Sequence, residues 1–495
     1  MTKYSSFVSL AALELEPAAA TPLYRQLYDQ MRDAILSRRL AAGARLPPTR
    51  ALAGELGVSR NTIVSAFEQL TAEGYVEGRV GSGTYVAAAL PDEALRVPPP
   101  SRLAASPRRP GGLSKRGLAI AASTIVASPQ DSKPRPFRPG LPALDAFPLD
   151  IWARLHARHW RYADRNLLAY GDSAGYAPLR EAIAEYLGAS RGVRCTAEQV
   201  LMVAGSQQAV DLAARLLLDA GDAAWVEDPG YPDARHALAG AGARLVPVPV
   251  DAEGLDVRAA VARAPKPRMV YVSPSHQFPL GVTMSLARRL ALLDFAQRTG
   301  AWILEDDYDS EYRYTGRPLA ALQGLDSGGR VIYIGTFSEV MFPSLRLGYV
   351  VVPPELMPTF SKARALADRH SPLVEQAVLN DFIREGHFAR HIRRMRVMYG
   401  AQQAMLVNEV QHELDGRLQI TSTPAGMHLV GWLPRGVDDR AVSEALGERL
   451  IEAPPLSAYA LSTLKRGGLV LGYAGISPKQ VRDGVRSMKS VLGHL

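Results

Sequence analysis

Two short polar segments of the sequence directly follow apolar runs and carry side chains that could do chemistry. The acidic segment 305–308, Glu-Asp-Asp-Tyr, follows the run 301–304 at the end of a predicted strand. Open α/β sheets bind their ligands at the carboxyl ends of strands, which places these carboxylates where a ligand would lie. The segment 205–208, Gly-Ser-Gln-Gln, follows the run 200–204, and such a turn into a helix offers free amides to an anion. Either segment alone is equally typical of ordinary loop or helix-start structure.

The elements that must position these segments alternate along the chain. From about Phe137, strand-like and helix-like segments follow one another, which favours an α/β layered fold with a largely parallel sheet. Apolar runs at 200–204, 269–272 and 301–304 predict three buried strands. An amphipathic helix follows the first of them, with apolar positions at Val210, Leu212, Leu216 and Leu217.

The N-terminal part has a different pattern, which predicts short helices. Apolar residues recur with helical spacing over 22–40, and Gly43 ends this predicted helix. Thr49 is placed to cap a short helix over 50–56, and Gly57 begins a tight turn after it. A short helix followed by a glycine turn is the first half of a helix-turn-helix.

The second half of this motif starts at a serine. Ser59 caps a helix that reaches about Glu73. Strand-like residues over 76–86 flank a glycine-rich tip, which predicts a β-hairpin wing. The whole ordered set, from Leu46 to Gly83, closely resembles the winged helix-turn-helix of GntR-type DNA-binding proteins.

The predicted DNA contacts lie at the start of the second helix, just before the motif and in the wing. The first residues of this helix would face the major groove, where short or forked hydrogen-bonding side chains meet base edges or phosphates. The flanking arginines would meet phosphates or the minor groove. The predicted contacts are Arg50, Ser59, Arg60, Asn61, Thr62, Arg79, Gly81 and Ser82. Ser59 as a helix cap only, and Arg60 as a surface charge only, remain open alternatives.

The net charge of +8 is concentrated in one segment. Residues 91–136 carry eight Lys/Arg against three Asp/Glu and contain nine prolines, whereas residues 1–90 carry nine against eight. Such a composition cannot easily bury a core and predicts an extended, basic linker. We favour a solvated tether, and a tether that also contacts nucleic-acid phosphates is the alternative.

The whole chain has the size and composition of a soluble protein with two or three domains. It has 495 residues, of which 47% are hydrophobic, and no apolar run approaches the roughly 18 residues that span a bilayer. We expect no signal peptide, and the single cysteine, Cys195, fits a reducing cytoplasm. We interpret His387 and His391 as part of a solvated helix face. We therefore expect a cytoplasmic protein with no metal and no membrane partner.

Six ordered motifs distinguish the rest of the chain. They are Tyr170-Gly-Asp-Ser-Ala-Gly175-Tyr-Ala-Pro-Leu-Arg180, Gly205-Ser-Gln-Gln208, Asp228-Pro-Gly-Tyr231, Ser273-Pro-Ser-His-Gln-Phe-Pro-Leu-Gly281, Asp306-Asp-Tyr308 and the segment from Ser338 to Arg346. Together with the winged helix, they resemble the MocR family of regulators, whose large domain is a pyridoxal phosphate (PLP)-binding aminotransferase of fold type I. The resemblance covers nearly the whole chain.

This resemblance implies the fold class and the domains. The fold class is α/β, with an N-terminal winged helix-turn-helix, an aminotransferase fold type I large domain and a small C-terminal α+β part. The implied domains are a GntR-type DNA-binding domain over 1–90, the basic proline-rich linker over 91–136, and an aminotransferase-like effector and dimerisation domain over 137–495.

The resemblance also implies roles for residues around the cofactor ring. Asp306 would pair with the protonated pyridine nitrogen, and Tyr308 would hydrogen-bond the ring hydroxyl. Tyr231 would stack on the ring face. These roles imply a PLP-like pocket at the ends of the predicted strands.

A second set of implied roles concerns the phosphate group. Ser206, Gln207 and Arg346 would hold it, and the arginine would supply a bidentate grip. Tyr170 would reach the phosphate site of the neighbouring subunit, because these folds build each pocket at a dimer interface. Ser338 belongs to the same implied pocket and directly precedes the position at which the pattern changes.

That position is Glu339, which stands where the family has a lysine that forms an imine with the cofactor aldehyde. A carboxylate cannot form an imine, since the reaction needs an amine nucleophile. The stretch 468–473 also lacks the arginine with which aminotransferases grip a substrate carboxylate. We therefore expect no catalytic residue and no covalent PLP.

Asp306 and Glu339 would place two negative charges in one pocket, which costs energy unless a cation neutralises them or one is protonated. The hypothesis is that the pocket is either unused or selects a ligand with an amine. Non-covalent PLP, pyridoxamine phosphate and another amine-bearing effector are the candidates.

The sequence therefore predicts a dimeric transcriptional regulator that binds double-stranded DNA as a homodimer and senses a small-molecule effector. Two alternatives remain. One is a PLP-dependent, aminotransferase-like enzyme with a regulatory DNA-binding head, which would need a nucleophilic lysine elsewhere in the pocket. The other is a constitutive DNA-binding dimer with a dead sensor domain.

Overall fold

The computed structural model describes residues 13–79, 82–90, 112–121, 135–162, 164–316, 319–414 and 416–493. The chain divides into two compact units, Met1–Gly111 and Gly112–Leu495. Across these described ranges, none of the helices is both long and apolar enough to cross a membrane.

The first unit is a helix-turn-helix followed by a hairpin. Its elements are α1 (Leu23–Leu36), α2 (Thr49–Glu55), α3 (Arg60–Ala72), β1 (Val76–Arg79) and β2 (Gly83–Val86). The two strands are antiparallel, with Val76 opposite Val86. The helices bury a shared core that includes Leu27, Met31, Ile35, Leu52, Ile63 and Leu70. The predicted winged helix-turn-helix is confirmed.

Two predicted boundaries in this unit were wrong. The first helix ends at Leu36 instead of reaching residue 40, because the chain turns at Arg38, which has a φ of 61°. The amide of Leu40 donates to the Ala34 carbonyl in that turn. Leu40 is buried in the core although it lies after the end of the helix, which is why its apolar side chain matched the helical pattern. Thr49 is the first residue of α2 instead of its cap, and Pro48 occupies the cap position.

The second unit is built on an eight-stranded sheet. Its strands are β3 (Val200–Val203), β4 (Ala223–Asp228), β5 (Arg244–Asp251), β6 (Gly254–Leu255), β7 (Met269–Val272), β8 (Trp302–Asp307), β9 (Val331–Thr336) and β10 (Gly348–Val351). Their order is β3-β10-β9-β8-β7-β4-β5-β6. The five strands from β9 to β5 are parallel, whereas β10 is antiparallel to both neighbours and β6 to β5. The predicted largely parallel sheet is confirmed.

Helices surround this sheet. They are α4 (Lys115–Ala121), α5 (Leu149–Arg161), α6 (Arg165–Leu168), α7 (Ala177–Arg191), α8 (Ser206–Leu217), α9 (Pro232–Gly240), α10 (Val257–Arg263), α11 (Leu286–Thr299), α12 (Leu322–Leu325), α13 (Met357–Asp368), α14 (Leu373–Arg384), α15 (His387–Leu414), α16 (Asp439–Gly447) and α17 (Pro478–Leu492). Short 3-10 turns cover Leu144–Ala146, Ala197–Gln199, Pro343–Leu345 and Leu456–Tyr459.

Both faces of the sheet are covered because neighbouring strand residues point to opposite sides. Val226 and Leu304 pack with α8 and α9 in one core. Trp225 and Ile303, one position earlier in the same strands, pack with α10 and α11 in another. The strands therefore read as continuous apolar runs, as expected for a sheet buried on both sides.

The C-terminal part adds a two-stranded antiparallel sheet, β11 (His428–Trp432) and β12 (Gly468–Gly472), next to α16 and α17. This agrees with the predicted small α+β part. One prediction about α15 was wrong: His391 is 5% exposed, and its Nε2 lies 3.1 Å from the carbonyl oxygen of Val340. The helix packs into the core along this side, so His391 is not on a solvated face.

The predicted linker, residues 91–136, is described only at 112–121 and 135–136. Residues 115–121 form α4, which contacts α9. This part of the segment is therefore helical instead of extended. The helix packs against α9 through apolar residues such as Ile120, which lies next to Gly240 at the end of α9, although the sequence around the helix is basic.

Candidate functional site

The acidic segment after residue 304 lies inside strand β8, which continues to Asp307. Because side chains alternate along a strand, Asp306 points to one face and its two acidic neighbours to the other. Glu305 accepts the backbone amides of Leu322 and Gln323 at 2.7 and 2.8 Å. Glu305 is thus used within the protein, and so is Asp307. Of the three carboxylates, Asp306 remains for a ligand.

Asp307 forms a buried ion pair that fixes the strand. Its carboxylate lies 2.8 Å from the guanidinium of Arg191 and accepts the hydroxyl of Tyr333 at 2.5 Å. Arg191 also donates to Ser275 Oγ at 2.7 Å and to the carbonyl of Leu319. An ion pair with these hydrogen bonds can be buried at a lower desolvation cost than an isolated charge, although Oδ1 of Asp307 has no hydrogen-bond partner among the described residues.

Asp306 opens into a cavity of about 250 Å³, which we call the acidic cavity. It is lined by Pro139, Gly140, Ser206, Tyr231, Pro232, Asp233, Tyr271, Ser273, Phe278, Asp306, Tyr308, Glu339, Met427, His428 and Tyr459. Asp306 is 3% exposed, and its Oδ2 accepts the Tyr271 hydroxyl at 2.6 Å. Its Oδ1 is buried and has no hydrogen-bond partner among the described residues.

Glu339 follows strand β9 and brings a second carboxylate to the same cavity. Its Oε2 is buried and also lacks a partner within the described ranges. Burial raises the pKa of Glu339 to about 8, and the negative charge of Asp306 contributes. Burial likewise raises the pKa of Asp306 to about 7, against the lowering effect of the Tyr271 hydrogen bond. The two groups therefore retain protons near neutral pH unless a cation is present.

A third carboxylate, Glu227, lies behind the cavity wall. It is 1% exposed and accepts the hydroxyl of Ser273 at 2.9 Å and the amide of the same residue at 3.2 Å. Burial raises the pKa of Glu227 to about 7. Acidic groups therefore line the acidic cavity, and a further one, Glu227, is buried behind its lining.

An adjoining cavity contains a cationic group, and we call it the anion lobe. It is lined by the predicted residues Ser206, Gln207, Ser338 and Arg346, with Gly205. It shares Ser206, Tyr231, Asp233 and Glu339 with the acidic cavity. Gly205 caps α8 with a φ of +135°, a backbone conformation that L side chains rarely adopt. A Cβ atom at this position would lie 3.6 Å from the Arg346 guanidinium. A helix start next to a guanidinium is an arrangement that binds phosphate or another anion.

The polar groups of the anion lobe differ in how far they are already bonded. The exposed Arg346 guanidinium has no hydrogen bond or ion pair with any other described residue. Gln207 donates through Nε2 to the carbonyl of Asp233 at 3.0 Å, while its Oε1 is buried without a partner in the same part of the chain. The arginine is therefore free to bind an anion.

Tyr231 forms a wall shared by both cavities. It is the N-cap residue of α9, and its ring meets that of Phe278 edge to face at 5.8 Å. The turn before it is fixed to the C-terminal part, since the amide of Gly230 donates to the carbonyl of Tyr459 at 2.9 Å. Asp228 holds the amide of Leu461 at 2.6 Å. These bonds bring a C-terminal segment onto the rim.

Tyr308 is linked to two further buried residues. Its hydroxyl lies 3.0 Å from Nδ1 of His276, which lies 2.9 Å from Oδ2 of Asp309. A ring nitrogen of His428 lies within 4.8 Å of a ring nitrogen of His276 and of a carboxylate oxygen of Asp309. Its Nε2 lies 3.0 Å from the carbonyl oxygen of Pro279 and must donate to it. Burial lowers the pKa of His428 to about 3, so the ring is neutral and its Nδ1 is an acceptor.

Tyr170 does not join the cavity of its own chain. It is 80% exposed, and the guanidinium of Arg369 lies 4.7 Å from its ring centre. The side chain belongs to a separate surface groove with Trp160 and Leu168. Its predicted contact with a neighbouring subunit stays a prediction.

The predicted DNA contacts of the helix-turn-helix lie at the start of α3 and beside it. Ser59 accepts the amide of Thr62 at 3.1 Å, and the two hydroxyls are 2.9 Å apart, so the predicted cap is confirmed. Arg60 and Asn61 are exposed in the first turn. Arg50 is exposed as the second residue of α2.

The wing residues are already partly bonded. Arg79 pairs with Glu77 at 2.7 Å, and its guanidinium lies 4.8 Å from the ring centre of Tyr85. Ser82 is exposed, and Gly81 lies outside the described residues. A contact between Arg79 and DNA would therefore compete with its pairing to Glu77.

Sequence reasoning missed several residues of the acidic cavity. Tyr271 and Ser273 are two positions apart on and after β7, so strand alternation together with Asp306 could have placed them on one side. His428 and Tyr459 come from the C-terminal part, and no local pattern indicates that these two positions meet the others.

Two regions of the chain match known families. Residues 143–487 match aminotransferase class I and II, and residues 23–86 match the bacterial regulatory proteins of the gntR family. The probable rhizopine catabolism regulatory protein MocR of Rhizobium meliloti is 45% identical over 478 residues, which cover 97% of this chain and 95% of that protein. The HTH-type transcriptional regulator TauR of Rhodobacter capsulatus is 31% identical, with 97% and 98% covered.

A solved structure agrees with the larger match. The α-aminoadipate aminotransferase LysN of Thermus thermophilus, complexed with N-(5'-phosphopyridoxyl)-L-leucine, superposes with a TM-score of 0.67 at 30% identity. The match covers 72% of this chain and 92% of LysN. The chain therefore belongs to the family of MocR-type transcriptional regulators, in which a gntR-family helix-turn-helix is fused to an aminotransferase class I and II domain.

Proposed function

We propose that this protein regulates transcription in the cytoplasm by binding double-stranded DNA through α2, α3 and the wing. The observation that supports this role is the division of α3 into two sides. Ile63 and Leu70 are fully buried in the core, whereas Arg60 and Asn61 are exposed at the helix start. This is the geometry in which a recognition helix presents its first turn to the major groove.

DNA fragments selected by the purified protein provide the test. Arg60→Ala and Asn61→Ala should each weaken binding to the selected DNA by roughly 10- to 100-fold, because a base contact contributes about 1–3 kcal/mol. Arg39→Ala, an exposed arginine outside the predicted contacts, is the matched control. Equal affinity of all three variants and the original protein would reject the proposed interface.

We also propose the boundaries 1–90, 91–136 and 137–495 for the DNA-binding domain, the linker and the aminotransferase-like domain. Helix α4 would then be a short ordered part of the linker. The matched regions, 23–86 and 143–487, fall inside the two proposed domains. Limited proteolysis should cleave between residues 91 and 136, and fragments that start elsewhere would revise these limits.

The large domain is proposed to form a homodimer. Trp160, Leu168 and Tyr170 are 58%, 59% and 80% exposed, although side chains of this size are usually buried. They line one groove, which a second copy of the chain would cover. Leu168→Asp should shift the sedimentation of the full chain toward a monomer, whereas Leu286→Asp, at a residue 60% exposed, should not. A monomeric original protein would contradict the dimer.

For the pocket, we propose that Glu339 replaces the lysine that anchors PLP in aminotransferases. When bound, PLP supplies an electron-withdrawing ring that stabilises negative charge on an attached amino acid. The phosphate would fit the anion lobe, where Arg346 has no described protein partner. The ring nitrogen would fit the unpartnered Oδ1 of Asp306. The aldehyde end does not fit a covalent link, because neither cavity is lined by a lysine from the described ranges.

The pocket is therefore proposed to bind its effector non-covalently and to favour an amine. Pyridoxamine phosphate would place its phosphate near Arg346 and its ammonium group near Glu339. Calorimetry should show tighter binding of pyridoxamine phosphate than of PLP. Much tighter binding of PLP would contradict the preference for an amine.

The same titration separates the two alternatives. Covalent attachment of PLP that survives dialysis and is trapped by borohydride would support an enzyme with a regulatory head. A complete lack of binding by either compound, together with tight DNA binding, would support a constitutive dimer with a dead sensor domain.

A further inference from the structure

The acidic cavity has a charge pattern that selects among amines. Its lining includes the carboxylates of Asp233, Asp306 and Glu339 and no arginine or lysine. Within the described part of the chain, Asp306 and Glu339 have no ion-pair partner. A cavity with several carboxylates and no cation has to be neutralised by protons or by its ligand.

The unpartnered atoms point to the ligand form that neutralises them. Oδ1 of Asp306 and Oε2 of Glu339 are buried acceptors without a donor among the described residues. Leaving a buried acceptor unsatisfied costs about 1–3 kcal/mol, and more when it is charged. An ammonium group supplies three N–H donors and one positive charge, so it can satisfy both oxygens at once.

No arginine or lysine among the described residues lines the acidic cavity for a ligand carboxylate to pair with. His428 is a neutral acceptor there, since its Nε2 already donates to Pro279 and its pKa is lowered. In the sheet behind it, Val430 lies opposite Val470, and both are buried. The arginines near the ligand region, Arg138 and Arg346, line the anion lobe and not the acidic cavity. A ligand carboxylate in the acidic cavity would therefore meet the like charge of Asp306 and Glu339 with no cation from the described residues to offset it.

We infer that the acidic cavity binds an organic ammonium ion whose remaining part is neutral, such as an amino alcohol, and excludes zwitterionic amino acids. This inference rests on the proposed non-covalent pocket and names its ligand class. The ammonium group lies between Asp306 and Glu339. A hydroxyl of the ligand donates to Nδ1 of His428.

Binding of such a ligand displaces protons. One of the protons retained by Asp306 and Glu339 leaves as the ammonium group enters, so the affinity should rise by roughly tenfold from pH 6 to pH 8.5 and fall when the amine itself loses its proton. The titratable groups that line the cavity around the pair include Tyr231, Asp233, Tyr271 and Tyr308. Glu227, Asp307 and Asp309 lie outside this lining and act on the pair through their negative charge.

Matched pairs of compounds test the ligand class on the full-length protein. We expect L-leucinol and tyramine to bind at least about tenfold tighter than L-leucine and L-tyrosine by calorimetry, since one unfavourable charge contact costs more than about 1.4 kcal/mol. Equal or tighter binding of the amino acids would overturn the inference.

Isosteric variants test the site. Asp306→Asn and Glu339→Gln should each weaken binding of L-leucinol by at least about tenfold, whereas Asp294→Asn, an exposed carboxylate on α11, should leave it unchanged. Thermal unfolding of each variant checks that it folds, and unchanged leucinol affinity in both folded cavity variants would also overturn the inference.

A third titration distinguishes the failure of this inference from the failure of the proposed pocket. Binding of pyridoxamine phosphate without binding of either neutral-tailed amine would overturn the ligand class and leave the non-covalent pocket in place. Lack of binding by all of these compounds would overturn both, while DNA selection would still test the DNA-binding role.

Discussion

The anion lobe and the acidic cavity adjoin each other and share Ser206, Tyr231, Asp233 and Glu339, yet Arg346 lines only the anion lobe and Asp306 only the acidic cavity. The anion lobe has a guanidinium, close to the start of a helix, that is not paired with any described residue. The acidic cavity has two carboxyl groups, Asp306 and Glu339, whose pKa values are raised by burial. One continuous pocket can therefore hold an anion at Arg346 and disfavour an anion between Asp306 and Glu339.

The largest expected effect comes from placing an amine in the acidic cavity. Glu339→Lys removes one carboxylate and places a nucleophilic amine next to Asp306, so PLP should become covalently attached. Borohydride treatment followed by mass spectrometry should show one added cofactor per chain. Glu339→Gln is the control and should show none. Absence of attachment in the folded lysine variant would mean that residue 339 does not occupy the anchor position.

A smaller effect should separate the two regions. Arg346→Ala removes the guanidinium of the anion lobe and should weaken pyridoxamine phosphate binding by about 10- to 100-fold, because charge-assisted hydrogen bonds contribute about 1.5–3 kcal/mol. Binding of L-leucinol, which has no phosphate, should stay the same. Arg298→Ala on α11 is the matched control. Equal loss for both compounds would indicate that the two regions act as one site.

A third prediction uses pH to measure the charge repulsion in the acidic cavity. The raised pKa of Glu339 means that the folded protein binds its proton more tightly than the unfolded chain, so stability is lost as pH rises from about 4.5 to about 8. Glu339→Gln should remove this loss and stabilise the protein by about 2 kcal/mol at pH 8.5. The pKa difference alone would give more than twice this stabilisation. We expect less, because the Glu339 side chain is partly exposed and solvent screens its charge. Urea unfolding at pH 5 and pH 8.5 measures it, and an equal effect at both values would contradict the assignment.

The smallest effect concerns the one hydrogen bond that the Asp306 carboxylate receives from the part of the chain that the structure describes. Tyr271→Phe removes the donor at 2.6 Å and should destabilise the protein by about 1 kcal/mol at pH 8.5. The loss should be smaller at pH 5, where the carboxyl group carries its own proton. Tyr314→Phe, whose hydroxyl bonds within the C-terminal part, is a control in which the loss should not depend on pH. A pH-independent loss at Tyr271 would mean that Asp306 does not titrate in this range.

The comparison of sequence and structure depends on how local each pattern is. The winged helix and the parallel sheet were predictable, because helical spacing, caps and apolar runs are written in adjacent residues. The residues alone predicted the acidic segment as a place, and the resemblance to the MocR family assigned roles within it to Asp306 and Tyr308. The position of β8 in the sheet adds that Asp306 faces the cavity, whereas Glu305 and Asp307 are bonded within the protein.

Residues far apart in sequence explain what could not be predicted. His428 and Tyr459 reach the cavity through hydrogen bonds that join the C-terminal part to Pro279 and Gly230. His391 was predicted to be solvated, because nothing near it in sequence shows that α15 packs against the carbonyl of Val340. In each case the hydrogen-bond partner is more than 50 residues away in sequence, and for His428 the separation is 149 residues.

The buried pair of Arg191 and Asp307 has a consequence for how this domain can change over time. It anchors β8 from the side opposite the cavity, together with the hydroxyl of Tyr333. Mutation of the cavity side can therefore alter ligand choice without loosening the strand that carries it. Evolution, or a protein engineer, can exchange residue 306 or 339 while the anchoring side continues to hold the backbone in register.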